Sequence, residues 1–189
     1  MRIGMIGTGY VGLVSGACIA GFGHEVTCVD KDGTKISALN SGEIPIYEPG
    51  LKDIVQSNVR QGRLQFTTAL SEALKGANAA FIAVGTPSRR GDGHADLSYV
   101  YEAAREIAAA LTDFTVIITK STVPVGTGDE VDASFASCGL TSMLPLSQIP
   151  NSCDKELRST ISSTLIESSS GPTTNARREF LLKSTARFT

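Results

Sequence analysis

Short unbroken apolar runs alternate along this chain with longer stretches in which apolar residues recur at helical spacing. The runs GMI, VTCV, AAFIAV and VIIT have the length and content of strands buried on both faces of a parallel sheet. They predict strands over residues 1–6, 25–29, 64–67, 79–84 and 116–119. Helices are expected between them, over 11–22, 35–40, 51–59, 71–75 and 97–111, with Asp96 as N-cap of the last. Pro45, Pro49 and Gly50 punctuate the loop GEIPIYEPGL. Strand and helix in strict alternation point to an α/β fold with a parallel sheet.

The first strand runs straight into Gly7, Gly9 and Gly12, and the second ends at Asp30. A G-x-G-x-x-G motif alone says little, but flanked by strand, helix and a downstream acid it marks a dinucleotide-binding unit. Gly7 permits the tight turn, Gly9 admits a diphosphate close to the backbone, and Gly12 lets helix and strand approach. The N–H groups opening the helix favour an anion. Asp30 is placed to accept from the adenosine ribose hydroxyls, and a 2′-phosphate there would meet a like charge, so NAD is expected over NADP. The fold class is therefore a Rossmann-type doubly wound parallel sheet.

Composition excludes more than it identifies. With 17 Lys and Arg against 19 Asp and Glu, the net charge is −2, which argues against a nucleic-acid partner. Apolar stretches are too short and interrupted for a membrane span or a signal peptide, so the cytoplasm is the expected location. The four cysteines, Cys18, Cys28, Cys138 and Cys153, form no C-x-x-C and have no histidine at ligand spacing, so no metal is expected. Cys18 and Cys28 read as small core residues. In open parallel sheets ligands bind beyond the carboxyl ends of the strands, which places the glycine turn, Asp30, Thr86 and Ser121–Thr122 along one crevice. His94, Arg89 and Arg90 lie in a Gly-rich charged loop and read as solvent-facing. Tyr47 and Glu48 could either pack or bind.

Four segments are more specific: MIGTGYVGLVSGACIAGFGHEVTCVDKD, IPIYEPGL, FIAVGTPSRRGDGHADLSYV and TKSTVPVGTG. Together they resemble the UDP-glucose 6-dehydrogenases, over residues 1–131. That resemblance implies two-step oxidation of UDP-glucose to UDP-glucuronate by NAD, through a cysteine-bound intermediate. It implies NAD contacts from Val11, Asp30, Lys35, Thr86 and Thr122, beside the turn formed by Gly7, Gly9, Tyr10 and Gly12. It also places the Thr122 hydroxyl near the reacting centre, positioning a water. Dehydrogenases of GDP-mannose and of UDP-N-acetyl sugars share the glycine motif and differ around YEPGL. A non-catalytic dinucleotide-binding module is the alternative of a different class.

After residue 131 the pattern changes. Residues 132–189 are rich in Ser and Thr and show little periodicity, as in a disordered tail. Reading the possible codons of SQIPNSCDKELRSTIS one base out of register permits ANPEFLRQGAAIDDF, whereas the family carries NPEFLREGxAIxDF after its sixth strand. Continuing in that frame permits FKHPDRIVVGTDDER. A frameshift near residues 131–133 accounts for both. In that case the sheet is incomplete at its last strand, the fifth strand or its neighbour presents a bare edge, the family's nucleophilic cysteine and dimerising helix are not encoded, and the chain is catalytically inactive.

Overall fold

The computed structural model describes residues 1–89, 94–113, 115–121 and 143–145. Among the described residues the elements follow in the order β1 (Arg2–Ile6), α1 (Tyr10–Gly21), β2 (Glu25–Val29), α2 (Gly33–Asn40), α3 (Leu51–Arg60), β3 (Leu64–Thr67), α4 (Leu70–Leu74), β4 (Ala79–Ile82), α5 (Ser98–Ala110), β5 (Val116–Thr119) and β6 (Met143–Pro145). The strands form one sheet of order β3-β2-β1-β4-β5-β6, parallel throughout. The order reverses between β1 and β4, so a crevice opens beyond their carboxyl ends.

Why the strands read as unbroken apolar runs is visible in how their side chains divide. Ile3, Met5, Val26, Cys28, Phe81 and Ile118 enter one core, with α1, α2 and α3. Their neighbours Ile6, Val29, Ala80, Ile82 and Ile117 enter a second core, with α4 and α5. Period-two alternation sends successive residues to opposite faces, and helices cover both. The apolar side chains of each central strand thus leave water whichever face they occupy, and that burial is the main term holding the sheet.

Most expected elements are found within one or two residues of their expected ends. β4 stops at Ile82 rather than residue 84. Leu97, not Asp96, is the N-cap of α5, but the Asp96 carboxylate still accepts from the Ser98 N–H at 3.0 Å. The capping chemistry is as expected, shifted by one residue. The edge of β5 also differs from expectation. Met143–Pro145, from the segment read as structureless, pairs in parallel along it, Ile117 opposite Met143 and Thr119 opposite Pro145. An open edge offers backbone donors and acceptors to any extended segment. This last strand is a three-residue fragment against five residues in β1, and Pro145, lacking an N–H, suits an edge. The rest of the expected 132–189 tail lies outside the described residues.

Candidate functional site

The glycine turn joins β1 to α1 and is held from below by the Gly7 N–H, which donates to the Val29 carbonyl at 2.8 Å. Gly7 has φ +107, and a Cβ there would sit 2.5 Å from the Ala83 carbonyl oxygen. A Cβ on Gly12 would come within 2.0 Å of the Gly7 carbonyl oxygen, so α1 is pressed against the turn itself. Gly9 differs from both. It is the α1 N-cap with ordinary extended backbone, φ −71 and ψ −173, and a Cβ on it would meet nothing within 4 Å. Its side of the turn faces open space, where a bulky anion can approach the backbone. No side chain caps α1 and its first turn carries no acid, so the N–H groups and helix dipole favour a ligand's negative charge.

Asp30 closes β2 beside this turn. Its Oδ2 accepts from the Thr8 N–H at 2.9 Å and the Thr8 hydroxyl at 2.8 Å, and its Oδ1 accepts from the Asp32 N–H at 3.0 Å. Burial works to raise the carboxyl's pKa, but donation from Asp32 and Thr8, with the Lys35 charge, outweighs it and holds the group below its ordinary value. Asp32 caps α2 by accepting from the Thr34 and Lys35 N–H groups. The Lys35 ammonium stands 4.0 Å from both carboxylates.

These groups line a cleft of about 660 Å³ at the carboxyl ends of the strands. Gly7, Gly9, Asp30 and Lys35 form one side; Tyr99, Glu102, Ala103 and Glu106 of α5 form the other. Lys31 reaches across, donating to Glu102 at 2.8 Å and Glu106 at 2.7 Å. One side of the cleft therefore offers N–H groups and a fixed carboxylate, as a diphosphate joined to a ribose requires.

Not every expected residue stands in that wall. Tyr10, Val11, Gly12 and Thr86 do not line the cleft, although Gly85 and Pro87 on either side of Thr86 do. Gly12 acts instead through the close approach of α1 to the turn. Tyr10 is 48% exposed and donates its hydroxyl to Glu48 at 2.5 Å. That bond gives Glu48 a partner on α1, while Tyr47 is 92% exposed. Ser121 is also absent from the cleft wall; its hydroxyl donates to the Val84 carbonyl at 2.8 Å and ties the ends of β4 and β5 together. Thr122, Arg90, Cys138 and Cys153 lie outside the described residues. His94 and Arg89 are exposed, as expected. Cys18 and Cys28 are core residues, and burial pushes the Cys28 thiol up to about 12, which makes it unreactive.

Two contributions were not visible in the sequence. Thr8 looked like filler between two glycines, and the only available signal was a hydroxyl beside the turn that faces the acid. The α5 wall depends on which face of that helix the crossover brings to the crevice, and no local pattern encodes that. Among the described residues no group of three His, Cys, Asp or Glu could hold a metal ion. No described helix is long and apolar enough to cross a membrane.

Comparison with known proteins agrees with this geometry. The profile of the UDP-glucose/GDP-mannose dehydrogenase family, NAD binding domain, matches residues 1–143. The chain is 70% identical over 132 residues to the UDP-glucose 6-dehydrogenase of Rhizobium meliloti, covering 70% of this chain and 30% of that one. It is 52% identical over 132 residues to the UDP-glucose 6-dehydrogenase TuaD of Bacillus subtilis, covering 70% of this chain and 28% of that one. These curated relatives are thus more than three times the length of the segment they share with it. Among solved structures, the GDP-mannose dehydrogenase of Pseudomonas aeruginosa superposes with a TM-score of 0.74 at 31% identity, over 88% of this chain and 44% of that one. The matched span contains the turn, Asp30 and both walls of the cleft, and the chain belongs to the UDP-glucose/GDP-mannose dehydrogenase family, whose NAD-binding domain it carries.

Proposed function

We propose that this chain binds NAD in the cleft between the glycine turn and α5, as the cofactor-binding part of a UDP-glucose 6-dehydrogenase. The single observation that carries the reading is the Asp30 carboxylate, fixed by three donors beside an α1 N-terminus that no side chain caps. The N–H groups of the turn hold the diphosphate, and Asp30 accepts from the ribose hydroxyls. A charge-assisted bond of that kind contributes about 1.5–3 kcal/mol. Lys35 sets a positive charge beside the same carboxylate. The family pattern implies further contacts from Val11, Thr86 and Thr122 and a water-positioning role for the Thr122 hydroxyl; Val11 and Thr86 do not line the cleft, and Thr122 lies outside the described residues. Bound NAD supplies the hydride acceptor.

UDP-glucose is the proposed substrate of the whole protein. Identity of 70% to a UDP-glucose 6-dehydrogenase favours it over GDP-mannose, for which the structural relative is 31% identical. The cytoplasm is the proposed location. We place the end of the NAD-binding unit near residue 131 and read residues 132–189 as out of frame. That reading is supported by the 132-residue length of the match to the Rhizobium meliloti enzyme and by the NPEFL-like string in the shifted frame; the family model runs on to residue 143. The 189 residues as they stand bind NAD without oxidising a sugar, because the two cysteines described are core residues and Cys138 and Cys153 lie in no recognisable motif.

Purified chain mixed with NAD and UDP-glucose tests both parts. NAD binding without NADH is the expected result. NADH formation contradicts the non-catalytic reading, and absence of NAD binding contradicts the cofactor reading. Resequencing the DNA across codons 125–140 tests the frame.

A further inference from the structure

Thr8 stands between the first two glycines of the turn, and its side chain is buried, at 1% exposure. Both of its donors go to one oxygen of one residue. The N–H and the hydroxyl meet Asp30 Oδ2 at 2.9 and 2.8 Å, while the Asp32 N–H meets Oδ1 at 3.0 Å. The last torsion of an aspartate is broad and only loosely two-fold. Two donors on one oxygen and a third on the other fix the plane of the carboxylate. An ionised carboxylate offers about four acceptor sites, so this grip, with two donors on Oδ2 and one on Oδ1, leaves about one site, on Oδ1, for a ligand hydroxyl while keeping the group in place. A hydroxyl buried here without a partner would carry a desolvation cost, and the bond to Asp30 removes it. Turn and acid are therefore coupled through one side chain.

We propose that Thr8 is the positioning residue of the ribose site: its hydroxyl holds the Asp30 carboxylate in the orientation that leaves Oδ1 aimed at a ribose hydroxyl, and so sets the preference of the cleft for an unphosphorylated ribose. The inference rests on the NAD-binding role proposed above and adds a residue to which nothing in the family pattern assigned a task. Thr8 does not line the cleft. It acts through Asp30, because a carboxylate free to turn both loses its aim at the hydroxyl and swings its charge away from the place where a 2′-phosphate would sit.

The test is calorimetric titration of the chain with NAD and, separately, NADP, using Thr8→Val, Thr8→Ala, Thr8→Ser and Asp30→Ala. Thr8→Val keeps the shape and deletes the donor; it should weaken NAD about tenfold and lower the ratio of NAD to NADP affinity. Thr8→Ser should restore both to within about twofold. A merely structural threonine would lower the melting temperature and leave the ratio unchanged, so an unchanged ratio in a folded Thr8→Val overturns the proposal. Should the valine variant not fold, the alanine and serine pair gives the same comparison. If Asp30→Ala weakens NAD and the Thr8 variants do not, Thr8 loses its role and the ribose reading stands. If Asp30→Ala leaves NAD unaffected, the ribose reading itself is lost, and Thr8 with it.

Discussion

The Tyr10 hydroxyl donates to the Glu48 carboxylate at 2.5 Å, tying the first turn of α1 to the loop that precedes α3. The two residues are 38 positions apart, so the bond joins the GEIPIYEPGL loop to the residue that follows Gly9 of the turn. Tyr10 is raised above the ordinary tyrosine pKa, first by the hydrogen bond to Glu48 and then by partial burial and the carboxylate's charge. A raised pKa adds stability that is complete below the unfolded value, about 10, and is lost as pH rises through the folded value. Tyrosine ring resonances followed in an alkaline titration should show Tyr10 ionising late, and earlier in Glu48→Ala. Equal titration in both proteins would dissolve the link.

Asp30 has the opposite sign. Its carboxyl is held below the ordinary value, so it adds stability that is present above about pH 4 and lost as pH falls through the folded value. Urea unfolding of wild type and Asp30→Asn across an acid series should show a stability difference near neutrality that narrows in acid. A pH-independent difference would mean the carboxylate's charge is not what the turn stabilises.

Two glycines in one motif should fail differently. In Gly12→Ala the new Cβ meets the Gly7 carbonyl oxygen, 2.0 Å from its ideal position. Overpacking against backbone costs about 1–3 kcal/mol, and the melting temperature should fall accordingly. In Gly9→Ala the Cβ enters open space, so stability should stay within about 1 kcal/mol while NAD affinity falls at least about tenfold. Should Gly9→Ala bind NAD normally, the diphosphate does not lie against that turn.

Much of this was legible beforehand, for a reason that particular residues make plain. Ile3, Met5 and Ile6 read as one apolar run because α1 covers one face of β1 and α4 the other. The turn and Asp30 were legible because the backbone geometry demands those residue types at that spacing. Thr8 was not, since a threonine in a turn has many uses and only the fold brings Asp30, 22 positions away, to its hydroxyl. The cleft wall from Tyr99 to Glu106 and the three-residue β6 likewise depend on which surfaces the crossovers bring together. Codon possibilities after residue 131 say nothing about whether an extended segment will pair with an exposed edge.

A polar contact that has nothing to do with the ligand holds the far end of α1. The Asn58 amide donates to the Ala17 carbonyl at 3.1 Å and its oxygen accepts from Arg63 at 2.9 Å, with the side chain 2% exposed. Asn58→Ala strands these partners and should cost about 1–3 kcal/mol, read as a shift of the urea midpoint with NAD binding unchanged. By contrast Lys31, whose bridges to Glu102 and Glu106 are half or more exposed on the lysine side, should contribute less than about 1 kcal/mol. A larger loss in Lys31→Met, or one that added salt does not reduce, would contradict that assignment.

The central claim is that the first turn of α1 holds a diphosphate while Asp30 holds the sugar next to it. Backbone amide shifts recorded during an NAD titration test it most directly. The largest changes should fall on Gly7, Gly9, Tyr10 and Val11 and on residues 30–32, saturating together. Saturable shifts confined to another surface, with that turn silent, would contradict the claim.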